Sequence, residues 1–365
     1  MNTPSAANTA APSALTWVEA SAPAKVNLIL QCGAPAEAGG YHPLTTVFQA
    51  LSLRETVRLQ RRDDHELYLT QEARTPADEP AELAAELSDL DPAKHLAYRA
   101  VKAVLDYAGI DAGANIHVIK RVPVAGGMAG GSADAAAALL AADTLFATGL
   151  NESGELDVLA AQLGADVPFC LQGGLALGRG RGDELTALAD GPTRTWVMLT
   201  NQRGLSTPGV FAQADHRHAL GLEKLSELVE AEGDIAAALQ ISQNYLLPAE
   251  VPTELTEAQS RGLFTAENWQ QFLAVLENDL QLPALDLRPD LAEIMEQAAA
   301  AQLPDGTPVV TKPIISGSGP TIAVPVQNLA EAEAVKAAVQ GSETLHQAII
   351  LTGPVAGAQI DASGE

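Results

Sequence analysis

Cysteine is almost missing from this sequence: Cys32 and Cys170 are the whole supply, and they stand far apart. That excludes a disulfide framework and a cysteine-based metal site, and it makes a cytoplasmic setting the expectation. Basic residues are scarce too. Lysines and arginines number 21 against 46 acids, a formal charge of −25, which argues against a nucleic-acid surface and against binding to anionic membranes. No run of about 20 apolar residues occurs, so no membrane-spanning helix is expected. Met1 to Ala14 has neither a basic start nor a continuous apolar core and reads as a disordered tail, not a signal peptide or anchor. His216-Arg217-His218 lacks ligand spacing, and no protein metal site is expected.

What the sequence does have is glycine in one place. Pro123-Val124-Ala125-Gly126-Gly127-Met128-Ala129-Gly130-Gly131-Ser132-Ala133-Asp134 puts four glycines into six positions ahead of an alanine-rich run. Glycine enters positive φ without steric cost and has no β-carbon to keep a polyanion from the backbone. A loop of this kind feeding a helix offers unpaired amides and the positive end of the helix dipole to one point. An anion is expected there, with Ser132 and Asp134 as capping residues. The pattern is neither a Walker loop nor a dinucleotide fingerprint. Alone, it is equally a close-packed connection.

Around the loop the chain reads as mixed strand and helix. Trp17–Ala20 and Lys25–Leu30 read as two strands separated by a bend at Ala22-Pro23-Ala24, followed by strands at Thr45–Leu53 and Thr56–Arg61. An acidic, proline-interrupted excursion follows from Gln71 to Lys94. Leu96–Ala108 has one apolar helical face, and Asn115–Val122 is a strand delivering the chain into the glycine loop. A helix is expected at Glu155–Leu163. Past a composition shift near Asp190-Gly191-Pro192, helices are expected near Val210–Asp215, Leu222–Ala231, Trp269–Asn278, Asp290–Ala300 and Leu329–Val339. Strands are expected at Thr195–Thr200, within Ile314–Val326 and at Thr344–Leu351. The expectation is an α+β architecture divided into a tail (1–14), a first domain (15–190), a second domain (191–358) and a closing tail (359–365).

Three segments stand in order: Pro23-Ala24-Lys25-Val26-Asn27-Leu28, the glycine loop, and Ile315-Ser316-Gly317-Ser318-Gly319-Pro320-Thr321. This order resembles the GHMP kinases, the family of galacto-, homoserine, mevalonate and phosphomevalonate kinases, from about Val18 to about Gly357. Gly40-Tyr41-His42, Gly164-Ala165-Asp166-Val167-Pro168-Phe169 and Glu277-Asn278-Asp279-Leu280 single out the branch whose acceptor is a cytidine-diphosphate-linked methylerythritol. The resemblance implies a two-domain fold, with a left-handed βαβ unit in the N-terminal domain and a ferredoxin-like C-terminal domain. It also implies an ATP-dependent phosphotransferase with an alcohol acceptor, small-molecule partners and Mg²⁺ carried with the ATP.

Residue by residue, the resemblance makes Asp166 the base beside the acceptor hydroxyl, with Lys25 close to it. An ammonium there keeps the carboxylate ionised and offsets charge on the phosphoryl oxygens. For the nucleotide it implies Pro123, Val124, Ala125, Gly126, Gly127, Met128, Ala129, Gly130, Gly131, Ser132 and Ala133 around the phosphates, and Lys120 near the adenine. His95-Leu96 stands where the family commonly has Asn-Leu against adenine. Tyr41 and Phe211 are implied to sandwich the cytosine and His42 to read its edge, with Asn27 and Thr207 as further substrate contacts. Phe48 supplies another ring, and by composition it is equally a core residue. Asp134 stands where many members have Asn. The third segment either contacts substrate phosphates or closes against the glycine loop. Gly178-Arg179-Gly180-Arg181-Gly182 is either a source of cations or a solvated hairpin. Rival readings are a mevalonate- or homoserine-type kinase and a nucleotide-binding regulator without catalysis.

Overall fold

The computed structural model describes residues 15–35, 40–74, 91–189, 191–230, 235–265 and 268–365. The tail expected at 1–14 and most of the acidic excursion, 75–90, lie outside the described residues. In chain order the first half comprises β1 (Trp17–Cys32), β2 (Leu44–Arg62), β3 (Leu67–Ala73), α1 (Leu96–Ala108), β4 (Gly113–Lys120), α2 (Gly130–Phe146), α3 (Leu150–Ser153), α4 (Glu155–Leu163), α5 (Val167–Gln172), β5 (Leu175–Arg179) and β6 (Glu184–Ala187). The sheet path runs β12-β1-β2-β4-β3, where β12 is Gln359–Gly364, and β5 joins it by pairing with β2. β3 and β4 pair in parallel with α1 between them, the expected βαβ unit.

β1 is one strand, not two. Pro23 is accommodated because the register with β2 shifts between Pro23 and Ala24, and a bulge is one of the few places where a sheet tolerates proline. β2 likewise absorbs the two strands expected at Thr45–Leu53 and Thr56–Arg61. α1 forms where its apolar spacing requires: Ala97, Ala100, Val101, Val104 and Leu105 are buried, and Gly109 ends the helix at φ 67°. α2 carries alanine on nearly every side. Ala133 and Ala135–Ala138 are fully buried, so small side chains let the helix lie against β1, β2 and α1 together.

The second half contains β7 (Arg194–Asn201), α6 (Thr207–Glu230), α7 (Ile235–Tyr245), α8 (Glu257–Phe264), α9 (Trp269–Val275), β8 (Glu277–Asn278), α10 (Gln281–Leu287), α11 (Asp290–Ala299), β9 (Ile314–Ile315), β10 (Ile322–Val326), α12 (Leu329–Ala338) and β11 (Leu345–Gly353). Its sheet runs β11-β7-β10-β9, all antiparallel. Strand, helices, two strands, helix and strand in that spatial order make the ferredoxin-like arrangement. The helices expected at Val210–Asp215 and Leu222–Ala231 are one helix, α6, within the described residues.

The segment expected as a closing tail at 359–365 is instead largely β12, which pairs with β1 from Trp17↔Gly364 to Ser21↔Gln359. The chain therefore returns to its first sheet. Arg54 secures the return, donating to the carbonyls of Ala356 and Gly357. An apolar cluster also bridges the two sheets, with Val26, Leu28 and Leu51 from one and Trp196, Met198 and Ile349 from the other. Within it the Trp196 indole N–H donates to Gln49 Oε1 at 2.8 Å, so the largest buried side chain reaches its polar partner across the halves. Above this shared core the halves leave a cleft.

Candidate active site

The glycine loop lies in the wall of that cleft. β4 ends at Lys120 and α2 begins at Gly130; between them Ala125 (φ 50°), Gly127 (φ 74°) and Ala129 (φ 62°) take left-handed conformations. No side chain caps α2, whose N-cap is Ala129, so the free amides of its first turn are left for a ligand. Ser132 and Asp134 do not cap it, contrary to expectation. Asp134 turns inward because a buried ammonium, Lys120, holds it from the neighbouring strand.

Both other segments fasten the loop. The Lys25 backbone N–H donates to the Met128 carbonyl at 3.1 Å. Ser316 Oγ donates to the Gly127 carbonyl at 3.1 Å, and the Thr321 N–H donates to the Gly126 carbonyl at 3.3 Å. The third segment therefore closes against the loop. A β-carbon at Gly127 would collide with the Ser316 carbonyl, which is why this approach requires glycine.

The cleft has a volume of about 1070 Å³ and is lined by Pro123–Gly127, Ala129–Ser132, Lys25, Asn27, Asp166, Tyr41, His42, Phe48, His95, Lys120, Thr207 and Phe211. One geometry thus brings together nearly every residue singled out from the sequence. Met128 and Ala133, expected at the nucleotide, are fully buried and do not line the cleft: Met128 fills the bridging cluster and Ala133 the core under α2. Arg181 and Asp215 line the cleft as well. Arg181 was one of two cations left open by the sequence, and the structure separates them. Arg179 turns away, to the Thr253 carbonyl and Thr186 Oγ1.

At the floor, Lys25 Nζ lies 3.8 Å from Asp166 Oδ2 and donates to Asn27 Oδ1 at 2.6 Å. Asn27 Nδ2 in turn donates to Thr46 Oγ1 at 2.8 Å, and Thr46 donates to the Ile29 carbonyl at 2.7 Å. This relay runs across β1 and β2 and fixes the lysine head. Gly317, at φ 56°, leaves room for it, since a β-carbon there would stand 2.9 Å from Nζ. Asp166 sits at the N-cap position of α5 but makes no side-chain capping bond, and its carboxylate is one-third exposed to the cleft. Asp166 is thus an acid open to the cleft beside a buried ammonium.

The ring side chains occupy another part of the wall. His42 Nδ1 lies 2.8 Å from the Gly33 carbonyl, so that nitrogen carries the hydrogen, and Nε2 is 3.4 Å from Asp215 Oδ1. Its ring packs on Phe211, centroids 5.0 Å apart. Tyr41 is 80% exposed at the rim, with the Arg181 guanidinium 5.7 Å from its ring centroid. Phe48 is 2% exposed and stacks on Phe169 at 4.8 Å, so it supports the floor as a core residue. Thr207 and Ser318, both of the second half, share a hydroxyl–hydroxyl hydrogen bond of 2.8 Å at the edge of the cleft.

Lys120 and His95, both in the cleft wall, carry partners of their own. Lys120 Nζ is held at 2.6 Å by both Glu55 Oε1 and Asp134 Oδ2, which raise its affinity for its proton against the effect of burial. His95 caps α1, its Nδ1 accepting from the Ala97 N–H at 3.1 Å, and burial together with the Lys120 charge lowers its pKa to about 4. The ring is neutral, with its hydrogen on Nε2. Glu55 is the residue that sequence reasoning missed. It is one acid in a long strand, and nothing in its local pattern marks it as fully buried.

The N-terminal domain of GHMP kinases, as a family model, matches residues 95–174, which span α1 through the glycine loop to α5. Among curated relatives, a 4-diphosphocytidyl-2-C-methyl-D-erythritol kinase of Cutibacterium acnes is 39% identical over 92% of this chain and 94% of its own. One from Salinispora arenicola is 38% identical over 93% and 92%. A crystal structure of 4-(cytidine 5'-diphospho)-2C-methyl-D-erythritol kinase superposes with a TM-score of 0.62 at 26% identity, over 92% of this chain and 99% of that one. Leishmania major mevalonate kinase gives a TM-score of 0.65 at 15% identity, over 95% and 99%, which speaks to the fold alone. Fold similarity thus spans several acceptors, while sequence identity over nearly full length points to one branch. The chain belongs to the 4-diphosphocytidyl-2-C-methyl-D-erythritol kinase family of the GHMP kinases.

Proposed function

We propose that the cleft transfers the γ-phosphoryl group of ATP to the 2-hydroxyl of 4-diphosphocytidyl-2-C-methyl-D-erythritol, a step in the non-mevalonate synthesis of isoprenoid precursors. The observation that carries this reading is the Lys25–Asp166 pair on the floor of a cleft that is also lined by the uncapped start of α2. Phosphoryl transfer asks for alignment and charge neutralisation more than covalent work. The amides of Gly126 to Ser132 hold the phosphates, Lys25 offsets charge on the transferred group, and Asp166 orients the acceptor hydroxyl and receives its proton. The bond from that oxygen to the γ-phosphorus forms as the β,γ-bridge breaks, and ADP leaves.

The acceptor's base lies between Tyr41 and Phe211 with His42 at its edge, and Asn27 and Thr207 contact the rest of the substrate. A mevalonate or homoserine acceptor has no base to use these rings. Magnesium would be carried in with the triphosphate, where it would supply charge neutralisation and be held chiefly by phosphate oxygens and water. The reading is of a cytoplasmic enzyme whose partners are small molecules. Among the described residues no helix is long and apolar enough to cross a membrane.

The test is ADP release with ATP, Mg²⁺ and the cytidine-linked acceptor, run beside mevalonate and homoserine, for wild type and Asp166→Asn. Turnover confined to the cytidine acceptor and falling at least about a hundredfold in the variant supports the reading. Turnover with mevalonate or homoserine instead overturns the acceptor, and turnover indifferent to Asp166 overturns its role.

A further inference from the structure

Beneath the glycine loop, two carboxylates share one ammonium. Lys120 Nζ lies 2.6 Å from Glu55 Oε1 and 2.6 Å from Asp134 Oδ2, with all three side chains at most 5% exposed. When both acids are ionised the cluster holds one negative charge in surplus. Two of the four carboxylate oxygens accept hydrogen bonds, Asp134 Oδ2 from Lys120 and Glu55 Oε2 from the Arg121 backbone N–H, both at 2.6 Å, while a third, Glu55 Oε1, has only its ion-pair contact with Lys120. The fourth, Asp134 Oδ1, is buried with no hydrogen-bond partner. A buried, charged oxygen without a donor is costly, and a proton on it removes the charge part of that cost.

Among the described residues no other group facing the cluster supplies a second cation. From the start of α1, His95 Nε2 is 4.0 Å from Asp134 Oδ2, and its ring is neutral. The Arg121 guanidinium donates to Thr56 Oγ1 at 2.7 Å. From α5 the Cys170 thiol, kept protonated by burial, feels the charges of Asp166, Lys25, Asp134 and Glu55 together. Burial raises both carboxyl groups of the cluster, Glu55 to about 7, which brings the surplus charge within reach of neutral pH.

We propose that Asp134 takes up one proton at Oδ1 when a nucleoside triphosphate occupies the glycine loop, so that ATP binding and proton uptake are linked. The inference rests on the reading that this loop holds the phosphates. Asp134 is the fifth residue of α2, just past the first turn whose amides meet them. A polyanion brought to that turn repels the surplus charge and raises the cluster's proton affinity. By reciprocity, a cluster already protonated binds the polyanion more tightly. Affinity for ATP therefore falls as pH rises through the cluster's titration.

The test is calorimetry of ATP binding, with Mg²⁺ in excess, to the full chain in two buffers of different ionisation heat, from about pH 6 to about pH 9. Wild type and Asp134→Asn are compared, so that the nucleotide's own titration cancels. Wild type is expected to take up as much as one proton more than the variant. Its affinity is expected to drop by up to about tenfold per pH unit above the titration, while the variant stays level near the low-pH value of wild type. Glu55→Gln also removes the surplus charge and is expected to abolish the excess uptake, which keeps the test decisive should Asp134→Asn not fold. Equal proton counts in wild type and either folded variant overturn the inference alone. Absence of ATP binding to wild type at every pH overturns the loop reading with it.

Discussion

Lys25 Nζ holds Asn27 Oδ1 at 2.6 Å while standing 3.8 Å from Asp166 Oδ2, so the lysine's firm bond is to the amide and its longer contact is to the acid. Asn27 sets where the ammonium stands, and Asp166 remains open to a hydroxyl. Asn27→Ala is expected to lower kcat by on the order of tenfold to a hundredfold, because an ångström of misplacement at a reacting centre costs that much. Steady-state kinetics would check it. In a Lys25→Met background the same change should cost far less, since the residue it positions is gone; full additivity would show that Asn27 acts separately.

The left-handed turn at Gly127 should be as demanding as its surroundings suggest. Gly127→Ala places a methyl against the Ser316 carbonyl at φ 74°. It is expected to raise KM for ATP about tenfold or more and to lower the melting temperature. Gly109, at φ 67° with nothing within 4 Å of its would-be β-carbon, is the control. Gly109→Ala should cost only the backbone term, about 1 to 2 kcal/mol, and leave KM for ATP unchanged. Thermal melts and ATP titrations of both variants separate strain from contact.

The pH dependence of stability carries a signature of His95. Its folded pKa of about 4 lies below the ordinary 6.5, so between those values the unfolded chain binds the proton and the native ring does not. Stability is therefore full above about pH 6.5 and is lost as pH falls towards 4, by up to on the order of 3 kcal/mol. Glu55 has the opposite sign: with a folded pKa near 7, its contribution is lost as pH rises from about 4.5 to 7. His95→Asn retains a capping side chain and removes the titration. Its melting temperature should exceed that of wild type increasingly as pH drops below 6. A constant difference across pH would mean that His95 is not held neutral.

Phe211 packs against His42 at 5.0 Å in the wall of the cleft. If the acceptor's base uses this surface, Phe211→Ala should raise KM for the cytidine-linked acceptor about tenfold or more, the range of one base–aromatic contact, with KM for ATP unchanged. A rise confined to ATP would instead assign the ring to the nucleotide.

What could be seen from the sequence was whatever is encoded locally. α1 shows its apolar stripe at helical spacing, and the glycine loop shows its freedom from β-carbons, so both stand where expected. β1 hid its continuity because residues 20–30 are all buried: with both faces covered, alternation vanishes and Pro23 looks like a break. β12 pairs through its backbone, and its exposed side chains leave no pattern to read. Asp134 resembled a cap because its partner, Lys120, lies on another element. Glu55 gave no sign at all. Its meaning is its burial against that same lysine, and burial of one acid in a strand is a tertiary fact.

The Thr16 N–H reaches the Gly364 carbonyl at 2.9 Å, with Trp17 opposite Gly364 in the β1–β12 ladder, so the described ends of the chain lie side by side. Linked there by a short peptide and opened between β6 and β7, the polypeptide would run through the ferredoxin-like half first and the half that carries the glycine loop second, with the ladders of both sheets preserved. A ribosome making that permuted chain would release the second half before any strand of the first, and the strand that completes the large sheet would arrive joined to the one it completes.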